Sequence, residues 1–143
     1  MSKISVIFWS QTGNTEAMAN AIGQGVTLAG KEVEVLEVSR ASADALKEAQ
    51  VFALGCPAMG SEVLEEDEME PFVEEVTKFV SGKHVALFGS YDWGDGEWMR
   101  DWEARMKEAG AILVGGKGLI CNNDPGDDVL AQCGELGKEL AAL

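Results

Sequence analysis

The sequence has little positive charge. It holds 11 Lys and Arg against 25 Asp and Glu in 143 residues, a formal net charge of −14. Such a surface repels the phosphates of nucleic acid and of anionic membranes, and it favours basic protein surfaces. No apolar run approaches the roughly 18 residues of a membrane-spanning helix. Near the N-terminus, one Lys and a short apolar run (Ile4 to Trp9) precede no small-residue cleavage site. That run reads as a strand rather than a secretory signal, and a cytoplasmic protein is expected. Cysteine is sparse as well. Cys56, Cys121 and Cys133 are odd in number and form no C-x-x-C, which supports neither a zinc site nor a dithiol motif. Each lies in an apolar stretch and reads as a small buried hydrophobe. The single histidine, His84, follows Lys83 and reads as a surface residue without a catalytic role.

What is present is an alternation of apolar runs with amphipathic stretches, and no repeat or linker interrupts it. Strand-like runs cover 4–9, 32–38, 51–56, 84–89 and 112–121. Four are nearly continuous apolar runs, as strands covered on both faces should be. The run Glu32-Val33-Glu34-Val35 alternates instead, which suits an edge strand with one wetter face. Between the runs the period becomes 3.6. Met18, Ile22, Val26 and Ala29 form one stripe, and Met69, Phe72, Val73, Val76 and Val80 another. Trp98, Trp102, Met106 and Ala109 form a third, and Val129, Cys133, Leu136 and Leu140 a fourth. The stretch 41–49 reads as a shorter helix. This pattern predicts one α/β domain over 1–143, a doubly wound five-stranded parallel sheet with helices on both faces. Right-handed crossovers and the edge-like second strand give the order 2-1-3-4-5.

In such sheets ligands bind beyond the carboxyl ends of the strands, where the strand order reverses. The loops that matter therefore follow strands one, three and four. The first is Ser10-Gln11-Thr12-Gly13-Asn14-Thr15, which has hydroxyl and amide side chains around a glycine and no base. It opens a helix, whose free N–H groups and dipole attract an anion. It lacks the G-x-x-x-x-G-K-[ST] and G-x-G-x-x-G patterns, so a terminal phosphate suits it better than a triphosphate or pyrophosphate. An ordinary helix cap is the competing reading. The second loop is Pro57-Ala58-Met59-Gly60-Ser61-Glu62. Met59 offers a polarisable face to a flat ring and Gly60 lets backbone approach, although a Met sealing the core edge also explains the pair. The third is Ser90-Tyr91-Asp92-Trp93-Gly94-Asp95-Gly96. Trp98 and Trp102, spaced i, i+4, belong to a core stripe, whereas Trp93 lies between Asp92 and Gly94, where stacking on a ligand is the natural use of an indole.

Together these loops resemble the flavodoxin family. Trp9-Ser10-Gln11-Thr12-Gly13-Asn14-Thr15 is similar to its phosphate loop, [ST]-x-T-G-[NT]-[ST]. The loops beginning at Gly55 and Gly89 resemble the flavin loops of the short-chain, clostridial-type members. The resemblance runs from about Lys3 to the C-terminus, and it implies a monomeric electron-transfer protein, not an enzyme, that binds FMN non-covalently. It implies phosphate contacts from Ser10, Thr12, Asn14 and Thr15, and ring coverage by Met59 on the inner face and Trp93 on the outer. Glu62 would accept a hydrogen bond from flavin N3, backbone of Asp92, Trp93 and Gly94 would follow the pyrimidine edge, and Gly60 would sit beside N5. No metal is implied. Three positions depart from the clostridial form: Gln11 stands at a common Gly, Pro57 where a Ser can add a phosphate bond, and Asp92 at a frequent Gly. The activity implied is low-potential one-electron transfer between flavin semiquinone and hydroquinone. An acidic, arginine-poor pocket opposes the hydroquinone anion, roughly 1–2 kcal/mol per carboxylate at about 10 Å and an effective dielectric of about 20.

The alternative function is an FMN-dependent reductase of small quinone-like acceptors, which needs an open flavin face. A flavin-free phospho-acceptor receiver needs acidic residues after strand one and an Asp ending strand three, where Ser10 and Cys56 stand. Finally, eight acidic residues from Glu62 to Glu75 precede the next base, Lys78. They read as a solvated helix start suited to the macrodipole and also as a docking face for basic surfaces of partner reductases and oxidoreductases.

Overall fold

The computed structural model describes residues 3–60 and 62–143. Its strands are β1 (Ile4–Phe8), β2 (Val33–Glu37), β3 (Val51–Gly55), β4 (His84–Tyr91), β5 (Ile112–Leu113) and β6 (Leu119–Asn122). Its helices are α1 (Asn14–Leu28), α2 (Met69–Thr77), α3 (Glu97–Glu108) and α4 (Asp127–Ala141). The sheet runs β2-β1-β3-β4-β5, with β6 also on β4, and each pairing is parallel. The expected order 2-1-3-4-5 is the order observed, and β2 pairs with β1 alone at the edge.

Side chains alternate across the strands and so feed two cores. Ile7, Phe52, Leu54, Val85 and Leu87 pack with Met69, Phe72, Val73, Val76, Trp98, Trp102 and Met106 from α2 and α3. Val6, Phe8, Ala53, Ala86 and Phe88 pack with Met18, Ile22, Val26, Cys133, Leu136 and Leu140 from α1 and α4. The four helical stripes are thus the core faces, except that Ala29 lies exposed just past α1. His84 is half-buried at the start of β4 rather than fully on the surface. Lys83 beside it is buried, and its ammonium donates to the carbonyls of Lys47 (2.8 Å) and Ala49 (2.7 Å), fastening the approach to β3.

Two sequence expectations are corrected. The run 112–121 is two segments on one sheet position, β5 and β6, because Gly115 and Gly116 take φ of 79° and 82° and turn the chain out of the ladder. The stretch 41–49 is no α-helix. One 3₁₀ turn, Ala43–Leu46, replaces it, after another at Val38–Arg40. Leu46 alone in that stretch is fully buried, and one residue gives an α-helix no face to pack.

The start of α2 is capped from a distance. Glu65, 7% exposed, accepts the backbone N–H groups of Asp67 (2.9 Å), Glu68 (2.7 Å) and Met69 (2.9 Å). Burial pushes its carboxyl up, but the N–H bonds from Met69, Glu68 and Asp67 together outweigh burial and hold it below its ordinary value. The folded-state pKa is therefore the lower one. The stability it confers is complete above the unfolded value and is lost as pH falls through the folded value. Glu65→Gln is expected to cost about 1–2 kcal/mol at neutral pH and less in acid. Urea unfolding at about pH 7 and pH 3 checks this, and a loss equal at both would exclude the charge as its source.

Candidate functional site

The carboxyl ends of β1 and β3 flank the point where strand order reverses, and the loops after β1, β3 and β4 converge there. In the first, Gly13 takes φ 94° as the cap of α1. Ser10 Oγ accepts the N–H of Gly13 (3.2 Å) and of Glu16 (3.3 Å), which folds the loop over the helix start. Among the described residues the N–H groups of Thr12, Asn14 and Thr15 have no acceptor. The Thr15 hydroxyl is buried and lies 3.1 Å from Ser90 Oγ, while the Ser90 N–H donates to it (3.4 Å). The side chains of Thr15 and Ser90 thus tie α1 to the end of β4. Thr15 has its backbone N–H to offer an anion.

In the second loop the Met59 N–H donates to Val63 O and the Glu62 N–H to Met59 O, each at 2.9 Å, so the chain reverses around Gly60. Ser61 lies outside the described residues. Gly60 is exposed, its φ is outside the left-handed region, and a Cβ would meet nothing within 4 Å. Glu62 takes φ 55°. Its Oε2 accepts the Trp98 N–H at the start of α3 (2.9 Å), a place where the helix dipole favours a carboxylate, while Oε1 is buried without a partner among the described residues. Pro57 and Ala58 are half-buried, and the Ala58 N–H donates to Ser90 O (2.9 Å).

In the third loop Trp93 is 65% exposed, whereas Trp98 and Trp102 are each 1% exposed. Tyr91 packs on Trp98 with ring centroids 5.6 Å apart. Gly94 takes φ 89°, and a Cβ there would overlap Glu62 Oε1, so this glycine is required twice over. Two residues that sequence reasoning missed hold the loop. Asn122 Nδ2 donates to the carbonyls of Tyr91 (3.2 Å) and Asp92 (3.3 Å), and the Asn123 N–H donates to Tyr91 O (2.7 Å). The available signal was two asparagines closing a strand-like run at the same end of the sheet.

Gln11, Ala58, Met59, Gly60, Glu62, Asp92 and Trp93 line one cleft of about 180 Å³. It draws on each of the three loops. Ser10, Thr12, Gly13, Asn14 and Thr15 form the adjoining helix start, and Pro57, Ser90, Tyr91 and Gly94 support the walls. Among the described residues no cluster of His, Cys, Asp and Glu suits a metal ion, and no helix is long and apolar enough to cross a membrane. The donor set fits FMN. Neutral N–H groups at a helix start suit a phosphate, an orphaned carboxylate oxygen suits a ring N–H, and Met59 and Trp93 suit an apolar ring.

A doubly wound parallel sheet of this order, with such a cleft at its switch point, is the architecture of the flavodoxin-like class of α/β protein. The family model for flavodoxin matches residues 6–135, and the chain belongs to that family, in its short-chain branch. It is 49% identical to a flavodoxin of Clostridium beijerinckii, over 98% of this chain and 100% of the relative. It is 44% identical to the Megasphaera elsdenii flavodoxin, over 96% and 98%. The solution structure of the two-electron reduced M. elsdenii protein superposes with a TM-score of 0.89 at 43% identity, covering 98% of this chain and 99% of that one. Family membership makes the chain an FMN-dependent electron carrier rather than an enzyme.

Proposed function

We propose that the chain is a low-potential carrier of single electrons, working between the one-electron-reduced and fully reduced states of its FMN and docking on basic partner surfaces. FMN, when bound, supplies the capacity to take up and release electrons one at a time. The observation that carries the reading is the cleft lining, where Glu62 and Asp92 are the ionisable residues and no base accompanies them. Two carboxylates oppose any negative charge that builds on a ligand there, which lowers the potential at which the last electron enters. Thr12, Asn14 and Thr15 would hold the phosphate by N–H groups at the start of α1, with no cation to help. Met59 and Trp93 would exclude water from the ring.

Reconstituting the apo-protein with FMN tests this, and an apo-protein that ignores FMN would overturn it. Thr12 would add its hydroxyl to the N–H groups that hold the phosphate. Thr12→Ala, which removes the hydroxyl alone, is expected to weaken FMN by about 1.5–3 kcal/mol, the range for a hydrogen bond to a charged group. Riboflavin, which has no phosphate, should bind as before. Equal losses for both ligands would remove the phosphate role.

Asp95 is paired with Arg100 (3.0 Å), so Asp92 and the exposed carboxylates of the acidic stretch from Glu62 to Glu75 supply the docking charge. Within it Glu70 is committed to Arg105 (2.7 and 2.9 Å), while Glu66, Asp67 and Glu74 are exposed. Rim charges act mainly on association. Electron transfer to a basic partner should therefore slow steeply between low salt and ~0.5 M, as screening shortens the steering range. A flat salt profile in stopped-flow measurements would exclude the docking role.

A further inference from the structure

We infer that Asn122 is a positioning residue that aims the N–H groups of Asp92 and Trp93 into the cleft, toward the pyrimidine edge of a bound flavin. This rests on the FMN reading above. The C=O and N–H of one trans peptide point in opposite directions. Asn122 Nδ2 holds the carbonyls of Tyr91 (3.2 Å) and Asp92 (3.3 Å), so the N–H groups that share those peptides, on Asp92 and Trp93, point away from Asn122. Asp92 and Trp93 line the cleft and Asn122 does not. Among the described residues neither N–H has an acceptor. The Asn123 N–H fixes the same Tyr91 carbonyl from a second direction at 2.7 Å, with Asn123 held at φ 61°. One side-chain amide on β6 therefore sets two peptide planes on the neighbouring strand's loop.

Donors fixed in advance favour a ligand most when it carries negative charge. With FMN bound they would partly offset Glu62 and Asp92, from the cleft rather than from the start of α1 where the phosphate would be held. Asn122 is exposed, so Asn122→Ala leaves no hole in the core.

The test titrates apo-protein of wild type and Asn122→Ala with FMN and with riboflavin, unfolds both apo-proteins in urea, and measures both midpoint potentials of the FMN complexes. Asn122→Ala should raise Kd about tenfold for FMN and by the same factor for riboflavin, with apo-stability nearly unchanged. The fully reduced flavin should lose about a further tenfold, which lowers the second potential by about 59 mV. Unchanged Kd values overturn the inference. So does a loss confined to FMN, which would place the effect at the phosphate. So does a fall in apo-stability with both potentials unmoved, which would make Asn122 a structural prop. A wild-type apo-protein that binds neither flavin overturns the functional reading itself, and this inference with it.

Discussion

Trp102→Ala is expected to destabilise the apo-protein by about 3–5 kcal/mol, while Trp93→Ala leaves its unfolding nearly unchanged and weakens FMN. Trp102 is 1% exposed among the side chains that α2 and α3 press on β3 and β4, so alanine leaves a void the neighbours fill only in part. Among the described residues its indole N–H is buried without an acceptor, a cost alanine removes, which places the loss toward the lower end. Trp102→Phe keeps most of the ring and removes the stranded donor, and should fall well short of the alanine loss. Trp93, 65% exposed, has no comparable packing to lose. Denaturant unfolding of the three apo variants, with an FMN titration of Trp93→Ala, separates the roles. Equal destabilisation by Trp93→Ala and Trp102→Ala would abolish the distinction.

Gly137→Ala should cost about 3 kcal/mol, the upper end for overpacking, whereas Gly134→Ala, one turn earlier on α4, should stabilise by about 0.5–1 kcal/mol. The helices α1 and α4 touch backbone to backbone. A Cβ at Gly137 would overlap Ile22 O and crowd Val26 N, and one at Gly25 would overlap Gly134 O. Neither neighbour is a side-chain end that swings aside. A Cβ at Gly134 itself meets nothing within 4 Å, so alanine there gains helix propensity without a clash. Thermal melts of the two variants should move in opposite directions. Shifts of the same sign would mean that the helices do not approach so closely.

The sheet order and the core faces were legible because they depend on periodicity, which a sequence displays directly. Met18, Ile22 and Val26, or Phe72, Val73 and Val76, declare their faces by spacing alone. The site loops were legible because their compositions are wrong for a core. What stayed hidden depends on contacts between distant segments. Nothing in the stretch around Glu65 distinguishes a buried cap from its exposed neighbours Glu66, Asp67 and Glu68 until the chain has folded. The same holds for Asn122, which acts across strands on Tyr91 and Asp92, and for Gly137, whose need for a missing Cβ lies in a partner helix over a hundred residues away. The split of β5 from β6 was visible as glycines but outweighed by the apolar run on either side.

The buried thiols bear on how the molecule survives its own chemistry. Burial pushes Cys56 and Cys133 to about 12, and the thiolate, not the thiol, is the reacting form. At pH 7 only about one such group in 10⁵ is ionised, and none of the three cysteines is disulfide-bonded. Oxidants and alkylating agents therefore find these sulfurs chiefly when the chain opens. The rate at which a reagent such as iodoacetamide marks Cys56 becomes a clock for that opening, running slow in a sound molecule and fast in one whose fold has loosened.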